Sequence, residues 1–280
     1  MKLTGERPLH GSTPDSLLAL HDAGYREVAA RLGPGVVLDI GCGTAHATDR
    51  LGSTDRLVIG VDYDTPTAVG AAAEWASSRP DMRFAAMDGA RLGLAPESID
   101  WVCSSHVIEH FTAPEQHAAE IARVLHPDGT AFVLTPNRPA DFENPFHVYP
   151  FEAPELQSLL RLFFEKVEML GLEGSEALQA DFAARRQSGE RILALDVFDV
   201  RKRMPQSWYV YAYERLLPLV YKALGSERTG IGSGIDEHDL FIGDRIAPTT
   251  PVLLAVARGP RVNERPATPG KALRAEERNP

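Results

Sequence analysis

The chain has 280 residues, 44% of them hydrophobic, and a formal net charge of −10 from 29 basic and 39 acidic side chains. That length holds one large domain or two small ones with a full core, and so acidic a chain lacks the cations that replace phosphate counterions, so no nucleic-acid partner is expected. Two cysteines, Cys42 and Cys103, make no disulfide framework, and without an apolar signal core in residues 1–13 or any bilayer-length apolar run, a cytoplasmic location and no membrane insertion are expected.

Residues 14–32 read as a helix, with Leu17, Leu18, Ala23 and Val28 as its apolar side and Gly33-Pro34-Gly35 as its stop. Val36 to Ile40 is a first strand, Ala45 to Leu51 a helix, and Leu57 to Val61 a second strand. An Ala-rich helix over Thr65 to Ser78 ends at Arg79-Pro80-Asp81. Strands follow at Met82 to Ala86 and Ser98 to Ser104, then a helix from Pro114 to Leu125 with Ala118, Ile121, Ala122 and Leu125 at helical spacing. His126-Pro127-Asp128-Gly129 reads as a turn before a strand at Thr130 to Leu134. Pro154 to Phe163 is helical, Lys166 to Leu170 a sixth strand, and Pro251 to Ala257 a last apolar strand.

Strands alternating with helices argue for α/β architecture, a doubly wound parallel sheet with helices on both faces. The rhythm is lost between Gly171 and Thr250, where Ala177 to Leu195 looks helical and Trp208 to Leu224 carries Tyr209, Tyr211 and Tyr213 in alternation. The expected organisation is one domain over 1–258: a cap at 1–31, a core at about 32–172 completed by the last strand at 251–258, and an insertion or lid at about 173–250. The Pro- and charge-rich tail 259–280 is expected to be disordered.

The most informative stretch is Val36-Val37-Leu38-Asp39-Ile40-Gly41-Cys42-Gly43-Thr44, an apolar run, an acid, then two glycines one residue apart. A buried parallel strand reads this way when it ends in a tight turn where a ligand meets backbone. The dinucleotide fingerprint would place a third glycine where His46 stands, and no Gly-Lys-Ser/Thr of a P-loop follows. Asp39 precedes the turn, and Asp62 closes the next strand, where a carboxylate can take both hydroxyls of a ribose.

In this order the motifs resemble those of the class I S-adenosylmethionine-dependent methyltransferases. The matching pieces are Val37 to Thr44, Asp62, Met87-Asp88-Gly89, Leu94 to Asp100, His106-Val107-Ile108-Glu109-His110-Phe111, and Arg123 to Gly129, covering roughly residues 32–164. The resemblance implies a Rossmann-like seven-stranded sheet with its last strand antiparallel, and a helical cap made by the N-terminus and by insertions near the last strands. It also implies S-adenosyl-L-methionine as cofactor: Gly41, Cys42 and Gly43 under its methionine part, Asp39 near its ammonium, and Asp62 on its ribose. Asp88 and Gly89 would meet the adenine, with Tyr63 and Ser105 completing the cofactor set. Leu3-Thr4-Gly5-Glu6-Arg7-Pro8, a helix with His21 and Tyr25, Thr135-Pro136-Asn137 and Asn144-Pro145-Phe146-His147 are similar to methyltransferases of glycan assembly, some of which act on sugar hydroxyls.

His106-Val107-Ile108-Glu109-His110 also matches His-x-x-Glu-His, the zinc motif of inverted metalloproteases. That motif needs a helix, whereas here it follows strand four directly at the ligand-binding edge. Glu109 and His110 could instead be structural, or His110 could serve as a general base, with Glu109 and His147 as the other catalytic candidates. In a further option His106, Glu109 and His110 would help hold a divalent metal such as magnesium, as acidic residues and a His do in quinone-ring O-methyltransferases resembling this segment. The residues themselves assign no metal ligand, and His106 stands where one of those acids would be expected. The tyrosine row could stack on a sugar or pack the cap, Asp236-Glu237-His238-Asp239 reads as a solvated loop, and Cys42 and Cys103 read as core thiols. The expected activity is O-methylation of a hydroxyl on a saccharide, glycolipid or other small molecule. The alternatives are an NAD(P)-dependent oxidoreductase on the same kind of sheet and a non-catalytic cofactor-binding relative.

Overall fold

A computed structural model of the chain describes residues 13–75, 77–141, 147–193 and 232–261. The Leu3 to Pro8 motif, Asn144-Pro145-Phe146, the tyrosine row and residues 262–280 lie outside the described residues.

The strands are β1 (Gly35–Ile40), β2 (Arg56–Asp62), β3 (Met82–Ala86), β4 (Ile99–Ser105), β5 (Leu125–Pro136), β6 (Phe164–Gly174), β7 (Leu240–Ile242) and β8 (Val252–Pro260). They form one sheet in the order β3-β2-β1-β4-β5-β8-β6-β7. The first five pair in parallel, while β8 lies antiparallel between β5 and β6. The antiparallel last strand agrees with the expectation, but the sheet has eight strands among the described residues where seven were expected. The additional strand, β7, pairs with Leu172 to Gly174 from inside the expected insertion.

The sheet is apolar on both faces because both are covered. Along β8, Leu253, Ala255 and Ala257 join one core cluster, and Val252, Leu254 and Val256 join the other. This period of two sends alternate side chains to opposite faces. The first face is covered by α3 (Pro114–Val124) and α4 (Ala153–Leu160) through Ala118, Ile121, Leu156 and Leu160. The second is covered by α1 (Asp15–Ala29) and the start of α5 (Glu176–Leu193) through Ala19, Ala23, Val28, Leu178 and Phe182. The remaining helix, α2 (Thr65–Trp75), packs beside β2 and β3 with Ala68 and Ala71 buried. Large side chains such as Leu156 and Leu160 each contribute roughly 1.5–3 kcal/mol when fully buried.

Three further expectations are corrected. The helix expected over Ala45 to Leu51 is only a 3-10 turn, Thr48–Leu51. Gly43 and Ala45 take φ of +55° and +67°, and this left-handed backbone delays helical winding. His126 to Gly129 lies within β5, where the pairing with β4 shifts register between Ile99 and Trp101. The order of β8 continues past residue 258 because Pro260 pairs with Phe164 and the Arg261 amide donates to Phe163.

Candidate functional site

Five parallel strands end at one edge, and the turns that leave them carry the predicted residues. After β1 the amides of Gly41 and Cys42 both donate to the Val61 carbonyl, at 2.7 and 3.0 Å. The next amide, of Gly43, donates to Asp62 Oδ2 at 3.1 Å. Gly41 has φ +79°, and a Cβ there would lie 2.5 Å from Val107 Cγ2, so only glycine fits. Gly43 has φ +55° and nothing within 4 Å of where a Cβ would stand. One glycine therefore packs against the turn after β4, and the other leaves open space above the turn.

Asp62 is buried, and its second oxygen accepts from the Asp64 amide at 2.9 Å. Tyr63, beside it, is exposed. Asp88 is exposed, and its carboxylate accepts from the Ala90 amide at 2.9 Å. Gly89 is buried, and its carbonyl meets His117 Nδ1 at 2.9 Å.

Asp39 is fully buried. Its carboxylate accepts from the Tyr25 hydroxyl at 3.0 and 3.1 Å and from Thr48 at 2.6 Å. Burial pushes the carboxyl up to about 7, against the opposing pull of Thr48, Tyr25 and Cys103. A cofactor ammonium would compete with these bonds, which tie α1 and the 3-10 turn to β1. The Cys42 and Cys103 thiols are both buried, and neither is in a disulfide among the described residues.

The turn after β4 holds the other half of the site. His106 takes φ +56°, a conformation that costs a residue other than glycine roughly 1–3 kcal/mol. Glu109 is 1% exposed; one carboxylate oxygen accepts from Thr135 at 3.1 Å and the other faces His106 Nδ1 at 3.6 Å. Burial alone would raise this carboxyl, but His106, then His110 and His147, outweigh it and hold it at about 2. His110 and His147 lie with ring centroids 5.4 Å apart, and His147 Nδ1 meets Asp141 at 2.6 Å. Glu109, His110 and His147 can bring one ligand atom each within 4.8 Å of one another, an arrangement into which His106 does not enter. His21 of α1 lies over His106, centroids 4.5 Å apart, and burial beside His106 holds it down to about 3 against the pull of Glu109.

The structure thus gathers Glu109, His110 and His147 at one place, although His147 follows Glu109 by 38 positions in the sequence. Sequence reasoning missed His117. It sits on the buried side of α3, bridges Ser104 Oγ and the Gly89 carbonyl at 2.9 Å each, and stacks on Phe111 at 4.7 Å. The available signal was a histidine beside Ala118 on an otherwise apolar face. Asn137 was quoted without a role; its side-chain amide donates to the Ala247 and Thr250 carbonyls at 3.1 and 3.0 Å, closing the loop before β8.

Comparison with known proteins identifies the family. Residues 38–133 match the family model described as a methyltransferase domain. The chain is 35% identical over 181 residues to a Mycolicibacterium smegmatis protein named as an S-adenosylmethionine-dependent methyltransferase, covering 61% of this chain and 68% of the relative. It is 30% identical over 138 residues to a ubiquinone biosynthesis O-methyltransferase of Rhizobium leguminosarum bv. trifolii, covering 47% of this chain and 55% of that protein. Among solved structures, the 4+2 cyclase SpnF is similar with a TM-score of 0.51 and 19% identity, over 88% of this chain and 81% of that one. Since a cyclase shares the sheet, the fold alone does not fix the reaction.

Proposed function

This chain belongs to the class I S-adenosylmethionine-dependent methyltransferases, and from that premise we propose that it methylates a hydroxyl oxygen on a saccharide, glycolipid or other small polyhydroxylated molecule. The observation that carries this reading is the buried Glu109 faced by His106, His110 and His147 at the carboxyl edge of the sheet. The sulfonium methyl group arrives already activated, so the protein must align acceptor oxygen, methyl carbon and sulfur, and exclude water. A sugar hydroxyl has a pKa far above neutrality and gains from a base. An ionised carboxylate among histidines supplies acceptors for hydroxyl protons.

In this reading Gly41, Cys42 and Gly43 lie under the methionine part of the cofactor, and Asp39 anchors the strand behind it. Asp62 takes the ribose, Asp88 and Gly89 the adenine, and Ser105 ends the strand between cofactor and acceptor. Glu109, His110 and His147 form the acceptor wall. His46 in place of a third glycine, exposed and edge-on to Trp75 at 5.8 Å, speaks against dinucleotide phosphate binding.

The test is incubation with S-adenosylmethionine and a panel of saccharides, glycolipids, phenols and amines, with mass spectrometry of the products and with and without a chelator. Methyl ethers of sugars, formed equally with chelator, are the expected result. Methylation confined to amines, or no product of any kind, would overturn the reading. Methyl ethers that need added magnesium would move Glu109, His110 and His147 from acceptor wall to cation site.

A further inference from the structure

Among the described residues five buried side-chain polar atoms have no hydrogen-bond partner, and three of them, Ser105 Oγ, His106 Nε2 and Glu109 Oε1, fall between residues 105 and 109. Native proteins rarely leave such atoms unmet, and each one calls for a ligand or a role. Here they cluster at the end of β4, beside the turn expected to cradle the cofactor's methionine part. Val107, the next residue, is the one a side chain at Gly41 would strike. His106 therefore stands one residue from direct contact with the methionine turn.

Resting on the function proposed above, we propose that His106, rather than His110 or His147, is the residue that binds the acceptor hydroxyl and removes its proton. Three observations converge on it. Its Nδ1 faces the buried Glu109 Oε1 at 3.6 Å, longer than a hydrogen bond but close enough for the carboxylate to favour a proton on Nδ1, which leaves the unpartnered Nε2 as the acceptor. Its backbone is held at φ +56°, where strain persists only because the surroundings enforce it, and such residues concentrate at active sites. His147 also has a carboxylate on its Nδ1, Asp141 at 2.6 Å, but it comes from a loop after β5, whereas His106 adjoins Val107, the residue against the Gly41 turn.

The groups facing His106 are Glu109 on its own turn and His21 from α1, with His110 and His147 beyond Glu109. His21 and Gly24 lie one helical turn apart, and Gly24 packs near Ser105 Oγ, so one side of α1 covers both orphaned groups. The acceptor would satisfy them together: one hydroxyl donates to Nε2, and a neighbouring hydroxyl meets Ser105 Oγ. A molecule with adjacent hydroxyls fits this better than one with a single isolated hydroxyl. In the transfer the acceptor oxygen attacks the methyl carbon, the carbon–sulfur bond breaks with its electron pair going to sulfur, and the hydroxyl proton passes to His106 Nε2. S-adenosylhomocysteine and a methyl ether leave.

His106→Gly tests this, because glycine accepts the positive φ and the variant keeps its fold. The expected result is a fall in kcat of roughly 100- to 10,000-fold, S-adenosylmethionine affinity within about twofold of the parent, and partial rescue of turnover by added imidazole. His106→Asn, which also tolerates this φ, should lose activity without rescue. A second readout is independent of turnover: nitrogen-15 histidine spectra, assigned by the signal lost in His106→Gly, should show His106 protonated at Nδ1 and bare at Nε2. Wild-type-like kcat in His106→Gly, or a proton on Nε2 in the spectra, would overturn the assignment. Failure of the parent protein to form any methyl ether would instead overturn the functional reading on which it rests.

Discussion

The amide of Gly43 donates to Oδ2 of Asp62 at 3.1 Å, so the glycine turn after β1 and the acid that ends β2 form one unit. The carboxylate is held by backbone before any ligand arrives. Asp62→Ala removes both the anchor and the proposed ribose partner. Affinity for S-adenosylhomocysteine should fall roughly 10- to 100-fold, the equivalent of about 1.5–3 kcal/mol for hydrogen bonds to a charged group. Calorimetry measures it, and parental affinity would remove Asp62 from the ribose site.

Gly41 and Gly43 separate stability from binding. Gly41→Ala puts a Cβ 2.5 Å from Val107 Cγ2 at φ +79°, so it should lower the thermal midpoint and disturb the turn that carries His106. Gly43→Ala meets nothing within 4 Å and adds only left-handed backbone strain of roughly 1–2 kcal/mol. Its methyl group would enter the space assigned to the cofactor, so it should weaken binding more than it lowers the midpoint. Equal effects of the two variants on binding and on stability would contradict this division.

Asp39 makes stability depend on pH. Its carboxyl rises from 3.8 to about 7 on folding, so the folded state binds the proton more tightly than the unfolded state. Its contribution is therefore fully present below about pH 4 and is lost as pH rises toward 7. Asp39→Asn keeps an oxygen for Tyr25 and abolishes this dependence. Urea midpoints of parent and variant, compared between pH 5 and 8, should converge on acidification and separate in favour of the variant near pH 8. A constant difference would place the titration elsewhere.

His117 has the opposite sign. Burial lowers it from 6.5 to about 4, so its contribution is present above pH 6.5 and is lost as pH falls toward 4. His117→Phe leaves Ser104 Oγ and the Gly89 carbonyl without their partner, at a cost of roughly 1–3 kcal/mol for each unsatisfied group. Chemical denaturation at pH 7.5 should show that loss, and the gap from the parent should narrow at pH 5. Because Gly89 belongs to the turn proposed for the adenine, the variant should also bind S-adenosylhomocysteine more weakly.

How much of this was legible in the sequence depends on whether a residue's role is local. β1 and β2 announce themselves through apolar runs, and the turn at Gly41 through its glycines. Asp62 could be placed because it ends a strand. The clasp of Tyr25 on Asp39 joins a helix to a strand 14 residues later, and no periodicity reports such a pairing. His117 looked like one polar residue on an apolar helix, because its two partners come from β4 and the loop after β3. The three residues of β7 carry no readable alternation, and they became a strand only because β6 extends to Gly174 beside them. His106 was legible as a motif member, but its orphaned nitrogen and its backbone strain belong to the folded chain alone.

The position of β8 sets an order of assembly. Among the described residues it is the last strand in sequence, yet it lies between β5 and β6, pairing Thr130 with Arg258 on one side and Phe164 with Pro260 on the other. Until it arrives, β6 and β7 have no tie to the parallel strands within the sheet. A chain still growing on the ribosome can pair the strands that end at Asp62, Ala86 and Ser105, but it holds two open apolar edges until residue 260 has emerged. Such edges are templates for wrong partners. The nine-residue β8 therefore acts as a keystone: a nascent chain that stalls before it carries the turns after β1, β2 and β4 in place and the sheet unlocked.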